Sequence, residues 1–238
     1  MLLAIDIGNT RTKAAVFEGE TLLDHSAFNI SESAEAFRAL FEKFPNTSAA
    51  VLSSVAGNPD FLPQGIAIHR VGRDWQFPFK NLYATPETLG IDRMVLAAGA
   101  ALMYPGLDAL IIDAGTCVTY DFLDGRGRYR GGAISPGLQM RYRSLHDYTA
   151  RLPLASPEIP ESFIGDSTFQ SIHSGVVNGL VAEIEAFAGH VSTSGNFIII
   201  LTGGDSEFLA GRLKNRIFAN PNFLLESLNR LFQYQITK

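Results

Sequence analysis

Asp6-Ile7-Gly8-Asn9-Thr10, inside the opening stretch MLLAIDIGNTRTKAAVFEGE (residues 1–20), decides the reading of this chain. An apolar run from Leu2 to Ile5 reads as a buried strand, and Thr12 to Phe17 as the strand that returns. Glycine and asparagine alone satisfy a tight turn. The turn does not need a carboxylate at the end of a buried strand. The same order returns at ALIIDAGTCVTYDFLDGRGRYRGGAISPG (residues 109–137), with Asp113-Ala114-Gly115-Thr116 in place of the first turn. The two aspartates lie 107 residues apart, close to half the chain, so the repeat is one of whole domains.

Outward from these turns the elements alternate. A third strand spans Thr21 to Phe28, and Ser31 reads as the N-cap of a helix carrying Ala34, Phe37, Leu40, Phe41 and Phe44. Strands at Ala49 to Val55 and Ile66 to Val71 follow, then an aperiodic stretch at 73–89, read as loop. A helix carries Ile91, Val95, Leu96, Ala98 and Leu102 and stops at Pro105-Gly106. In the second half the pattern predicts strands at Leu110–Ile112 and Val118–Phe122 and a third after Asp124-Gly125. It then predicts a helix at 137–148, a polar loop at 153–167 and a long helix at 168–189. A strand at Asn196–Leu201 and helices at 206–214 and 221–233 complete the chain. This is an α/β chain of two similar halves, with a cleft near residue 108.

Composition narrows the function. Hydrophobic residues make up 46% and charged residues 18% of the 238, enough for a sizeable core. A net charge of −5 argues against broad binding to nucleic acid or an anionic membrane. Cys117 is the only cysteine, so no intrachain disulfide and no Cys-rich metal site can form. Met1 runs directly into strand-like sequence without an h-region, and Phe197 to Leu201 is too short to span a bilayer. A cytoplasmic protein is the expectation. The five histidines show no HxxxH or HExxH spacing. Arg126, Arg128 and Arg130 alternate along a strand and read as a solvated face. Trp75, Phe77 and Phe79 read as packing ahead of Tyr83.

Two Asp-x-Gly turns facing each other suggest a nucleotide site. The N–H groups of Gly8, Asn9 and Thr10 could form an anion nest, Asp6 could help hold Mg²⁺, and Lys13 could reach a terminal phosphate. There is no GxxxxGK[ST], so a P-loop is excluded. At Gly90-Ile91-Asp92-Arg93, a helix start, Asp92 is either a favourable charge near the dipole or a proton acceptor for a substrate hydroxyl. Arg93 beside it suits an anionic substrate.

These residues resemble the type III pantothenate kinase family of the actin-like, sugar kinase and Hsp70 superfamily. The resemblance runs through DIGNT (6–10), Tyr83, LGIDR (89–93), DAGT (113–116), GGAISPG (131–137), TARLP (149–153), Gly165, Thr168, Ser174-Gly175 and TGG (202–204). It implies two duplicated ribonuclease H-like domains with the actin-like ATPase fold, residues 1–108 and 109–238, the last helix able to pack back on the first, and a nucleotide cleft between them. It implies phosphorylation of the primary hydroxyl of pantothenate by ATP, the first step of coenzyme A synthesis. Asp6, Ile7, Gly8, Asn9, Thr10, Arg11, Thr12 and Lys13 would form the first phosphate loop, and Thr116 would touch the phosphates from the second. Asp113 would help bind K⁺ or NH₄⁺, alongside Mg²⁺ on the nucleotide. Asp92 would accept the proton, and Tyr83, Gly90, Ile91, Asp92, Arg93 and Thr168 would recognise the substrate. Gly203 and Gly204 would lie near the adenine or ribose. A homodimer is implied, with no nucleic-acid or membrane partner. Two alternatives stay open: a kinase for another small hydroxyl substrate, and a non-catalytic regulator of the same fold, such as a transcription accessory factor.

Overall fold

The computed structural model describes residues 1–8, 11–54, 65–191, 195–214 and 217–237. Its contacts divide the chain into two units: Met1–Pro105 with Gly127–Tyr129 and Asn222–Lys238, and Gly106–Arg126 with Arg130–Pro221.

In the first unit the apolar run becomes β1 (Leu2–Ile7), two residues longer than the pattern alone predicts, so that Asp6 is still in the strand. It pairs antiparallel with β2 (Arg11–Glu18), which pairs antiparallel with β3 (Thr21–Asn29). On its other side β1 runs parallel to β4 (Ala49–Ser54), which runs parallel to β5 (Ala67–Arg70), giving the order β3-β2-β1-β4-β5. Val55, predicted as the end of β4, lies outside the described residues. Helix α1 (Ser33–Lys43) packs Phe37 and Leu40 against Leu3, Ile5 and Ile7. The entry to that helix differs from the Ser31 cap expected. A 3₁₀ turn at Ile30–Glu32 precedes it, and the Asn29 amide donates to the Glu32 carboxylate at 2.9 Å, so Asn29 starts the turn. Alternation along β1 puts Leu2, Ala4 and Asp6 on the face opposite α1. Helices α2 (Ile91–Met103) and α7 (Phe223–Ile236) pack together and onto the strands. Their residues do not join the α1 cluster, so they cover the face that carries Asp6. The stretch read as loop at 73–89 contains a short strand, β6 (Lys80–Asn81), paired with Arg128 and Tyr129, and a 3₁₀ turn at Pro86–Thr88.

The second unit repeats the order. Strand β7 (Asp108–Ala114) pairs antiparallel with β8 (Cys117–Asp124), beside which lies β9 (Arg128–Pro136). On its other side β7 runs parallel to β10 (Phe197–Thr202) and β10 to β11 (Phe218–Ala219). The sequence β9-β8-β7-β10-β11 is the counterpart of β3-β2-β1-β4-β5, so the repeat read from two short turns extends to strand order, and to direction for β7, β8, β10 and β11. Helix α3 (Leu138–Asp147) follows β9. The long helix predicted at 168–189 is present as α4 (Thr168–His173), a π turn at Ser174–Asn178, and α5 (Gly179–Val191). Leu180, Ile184 and Ala188 of α5 bury against Leu110, Ile112 and Ala114, leaving Asp113 on the opposite face of β7 by alternation. Helix α6 (Ser206–Ala210) is shorter than the 206–214 expected. Strand β11 has only two residues, too few to show a period.

Candidate functional site

In the first unit, Asp6 lies opposite Lys13 and Ile7 opposite Thr12 in the β1–β2 ladder. Directly opposed side chains share a face, so the carboxylate and the ammonium both stand on the α2 side of the sheet. The turn closes through the Gly8 N–H, which donates to the Arg11 carbonyl at 3.1 Å. Asn9 and Thr10 lie outside the described residues. The exposed Arg11 sends its Nη2 across to the Ala27 carbonyl at 3.3 Å. Thr12 is fully buried, and its Oγ1 has no hydrogen-bond partner among the described residues.

The LGIDR stretch opens α2, with Gly90 as an extended N-cap. Asp92 sits in the first turn, where the positive end of the helix dipole favours a carboxylate. Its Oδ1 accepts the Arg93 amide at 2.9 Å and lies against the Gly90 Cα, where any Cβ would collide with it. Among the described residues no further hydrogen bond holds the carboxylate, and Asp92 remains part-exposed at the helix tip. Arg93 is buried, and its guanidinium stands over the Tyr83 ring, 5.9 Å from the centroid. Tyr83 is fixed in turn: its amide donates to Asn81 Oδ1 at 2.9 Å, and its ring packs on the buried Tyr129. Phe79 packs on Tyr129 too, and Phe77 on Phe79, so these two phenylalanines ahead of Tyr83 serve packing. Arg73 donates to the Leu89 carbonyl at 2.8 Å and the Pro86 carbonyl at 3.4 Å, tying the segment before α2 in place. Tyr83, Gly90, Ile91, Asp92 and Arg93 therefore form one constellation.

In the second unit, the Asp113–Thr116 turn is built of backbone. The Gly115 N–H donates to the Cys117 carbonyl at 3.0 Å, the Asp205 amide to the Ala114 carbonyl at 2.9 Å, and the Gly137 N–H to the Thr116 carbonyl at 3.1 Å. Gly203 has φ +96° and lies so close that a Cβ there would overlap the Ala114 carbonyl and Asp113 Oδ1. A Cβ at Gly137 would overlap the carbonyls of Gly115 and Thr116. The TGG, DAGT and SPG motifs thus meet at one place. Asp113 is half-buried and Thr116 exposed. No group of three or more His, Cys, Asp or Glu side chains able to hold a metal occurs among the described residues. The Asp113 carboxylate and the Ala114 carbonyl, both against Gly203, are hard oxygen donors. They suit an alkali cation or a Mg²⁺ held mainly by phosphate and water rather than a transition metal.

Thr168 lines a cavity of about 880 Å³ within this unit, together with Arg141, Ser144, Leu152, Asp166 and Ile172. Behind it, the Tyr142 hydroxyl and Nδ1 of the buried His173 share a hydrogen bond of 2.8 Å. A polar cluster without any sequence signal lies beside the cavity. Glu183 accepts the Tyr120 hydroxyl at 2.7 Å and the Ser135 hydroxyl at 3.1 Å, and pairs with Arg141. Burial works to raise the Glu183 pKa, but the bonds from Arg141, Tyr120 and Ser135 outweigh it and hold the carboxyl below its ordinary range. Burial, reinforced by the bond to that carboxylate, pushes the Tyr120 hydroxyl far above the usual phenol range, so it stays a donor. Cys117 is a free thiol on β8. Among the described residues no helix is long and apolar enough to cross a membrane.

The sequence pattern of the type III pantothenate kinase family matches residues 2–190. A type III pantothenate kinase of Flavobacterium johnsoniae is 56% identical over 241 residues, covering 99% of each chain. Among solved structures, a Campylobacter jejuni protein described as of the Baf transcriptional-activator family superposes with a TM-score of 0.66. It is 18% identical and covers 99% of this chain and 100% of its own. Component A of the Acidaminococcus fermentans (R)-2-hydroxyglutaryl-CoA dehydratase gives 0.58 at 14% identity, covering 99% and 97%. At those identities the likeness is one of fold, that of the actin-like ATPases and sugar kinases.

Proposed function

The chain belongs to the type III pantothenate kinase family, and from that premise we propose that it transfers the γ-phosphoryl group of ATP to the primary hydroxyl of pantothenate, the first step of coenzyme A synthesis. The observation that carries the reading is the constellation at the start of α2. It joins a part-exposed carboxylate fixed by the next residue's amide, and that next residue's guanidinium standing over a tyrosine ring. A regulator of this fold would have no use for such a carboxylate.

In the proposed reaction the substrate hydroxyl oxygen attacks the γ-phosphorus, the bond to the bridging oxygen breaks, and its electron pair leaves with ADP. Asp92 takes the hydroxyl proton. The transition state is loose, so the proton need leave the hydroxyl only late. Arg93 anchors the pantothenate carboxylate, Tyr83 keeps Arg93 aimed, and Gly90 and Ile91 line the site. The Asp6–Lys13 segment, including Ile7, Gly8, Asn9, Thr10, Arg11 and Thr12, and the Thr116 turn contact the phosphates. Lys13 offsets their charge. Asp6 would hold Mg²⁺ and Asp113 a monovalent cation, K⁺ or NH₄⁺. When bound, these supply further charge compensation at the phosphates.

Thr168 contributes to substrate recognition from the second unit. Around it stand exposed apolar side chains, Leu154, Ile159, Phe163, Ile164 and Phe169, with Phe163 79% and Ile164 82% exposed. Such a run supports a homodimer. A cytoplasmic location accords with the substrate. The test is ADP release in the presence of Mg²⁺, with and without pantothenate and with K⁺ or Na⁺. Release that depends on both pantothenate and K⁺ is expected. Release that ignores pantothenate would overturn the substrate, and release insensitive to K⁺ would remove Asp113 from its role.

A further inference from the structure

Helix α5 carries a carboxylate to which the roles above give no task. Glu183 takes the Tyr120 hydroxyl on Oε1, and the Ser135 hydroxyl and Arg141 Nη2 on Oε2. Arg141 also donates Nε to the Pro136 carbonyl at 2.8 Å and Nη2 to Ser135 Oγ at 2.9 Å. Ser135 and Pro136 are thus gripped through side chain and backbone together. The next residue, Gly137, donates its N–H to the Thr116 carbonyl and packs on the turn without room for a Cβ. A continuous series of hydrogen bonds and close packing runs from α5 to the second Asp-x-Gly turn. Arg141 has a planar fork, so one side chain serves Glu183, Ser135 and Pro136 at once, which a lysine cannot do.

We propose that Glu183 is a positioning residue for the nucleotide: through Arg141 and Ser135 it fixes the Ser135–Gly137 segment, and through Gly137 it fixes the Thr116 turn in the geometry that receives the phosphates. The proposal rests on the reading of Thr116 as a phosphate contact. If the network served only to hold the fold, its loss would lower the melting temperature and leave nucleotide affinity where it was.

The experiment compares wild type with Glu183→Gln, which keeps an acceptor for Tyr120 but loses the charge that holds Arg141. Ser135→Ala serves as a milder second variant should the first fold poorly, and Thr116→Ala as the control on the reading. Three quantities are measured: the ATP dissociation constant by calorimetry without pantothenate, the KM values for ATP and pantothenate, and hydrogen exchange at residues 115–117 and 137–138. Expected for Glu183→Gln are faster exchange in both segments and a rise of about tenfold in the ATP dissociation constant and KM, equivalent to about 1.4 kcal/mol. The kcat at saturation should stay within about twofold of wild type, because the α2 constellation does not depend on this relay. Unchanged exchange in both segments would overturn the proposal. So would unchanged ATP affinity. In that second case Thr116→Ala shows where the failure lies: if it weakens ATP binding, the relay alone is wrong; if it does not, the phosphate role of the turn falls as well.

Discussion

The two Asp-x-Gly turns are the same device in two states of support. Each ends the central strand of a five-strand order that is identical in the two units, and each leaves its aspartate on the face opposite the helix packed beneath the strand. Around them the halves diverge. The first turn is closed by the Gly8 N–H on the Arg11 carbonyl, and a Cβ at Gly8 would stand 3.2 Å from that carbonyl. The second is clamped by two glycine loops that admit no Cβ at Gly137 or Gly203. The first unit instead carries Asp92 and Arg93 in the first turn of α2. On the proposed reading, duplication of a fold does not duplicate its work: one half would supply the groups that react and bind, the other a tightly packed backbone surface that positions.

The sharpest way to break this comparison is Asp92→Asn. It is isosteric, so the Arg93 amide keeps its acceptor while the base is lost. A fall in kcat of about 10²–10⁴-fold is expected, with ATP binding nearly intact. Turnover near the wild-type rate would remove Asp92 from proton transfer. Next in size come the glycines. Gly137→Ala drives a methyl into the Gly115 and Thr116 carbonyls, and overpacking of this kind costs about 1–3 kcal/mol. The ATP KM should rise with the loss of stability. Among the described residues Gly8→Ala meets only the Arg11 carbonyl, at 3.2 Å, and should cost clearly less. Equal melting temperatures for the two variants would show that the turns are supported alike.

What was legible in the sequence follows from the range of each signal. Leu2–Ile5 followed by Asp6, and Leu110–Ile112 followed by Asp113, are local patterns whose residues touch neighbours a few positions away. The duplicated α/β fold could therefore be read from them. The family motifs named Tyr83 and Gly90–Arg93, and the structure places these side by side. Strand β11 and the two-residue β6 exist only because a longer strand offers them an edge, so they carry no period of their own. The Ser31 cap failed because Asn29, two residues earlier, competes for the same helix entry through Glu32. The Glu183–Arg141 pair spans 42 residues and links a helix to a helix after a strand. Neither residue differs from an ordinary surface charge until the chain is folded.

Arg93→Lys sharpens the first half of the comparison. Lysine retains the charge but neither the fork nor the planar stack on Tyr83. Loss of a bidentate contact to a carboxylate of about 1.4 kcal/mol would raise the pantothenate KM about tenfold, with the ATP KM unmoved. An equal rise in both would place Arg93 in the general support of the fold instead.

The smallest effect expected concerns acid stability and probes the second half. Hydrogen bonds from Arg141, Tyr120 and Ser135 hold the Glu183 pKa below its ordinary range in the folded chain, against the opposing effect of burial. A carboxylate whose folded pKa is depressed binds its proton more readily once the chain unfolds. Its contribution to stability is complete above the unfolded pKa, about 4.3 for glutamate, and is lost as pH falls through the folded value. The melting temperature of wild type should thus exceed that of Glu183→Gln at neutral pH, and the two should converge as the pH drops below that range. Both partners of the ion pair are only half-buried, with side chains 20% and 26% exposed, so solvent screening limits the gap to about 1 kcal/mol. In a chain of this size that is about 2–4 °C. A gap that is constant from neutral pH down to acid would mean that glutamine disturbs packing in α5 and that the charge on Glu183 does not hold the segment. Convergence, together with a raised ATP KM at neutral pH, would tie the charge that stabilises this half to the backbone surface it presents.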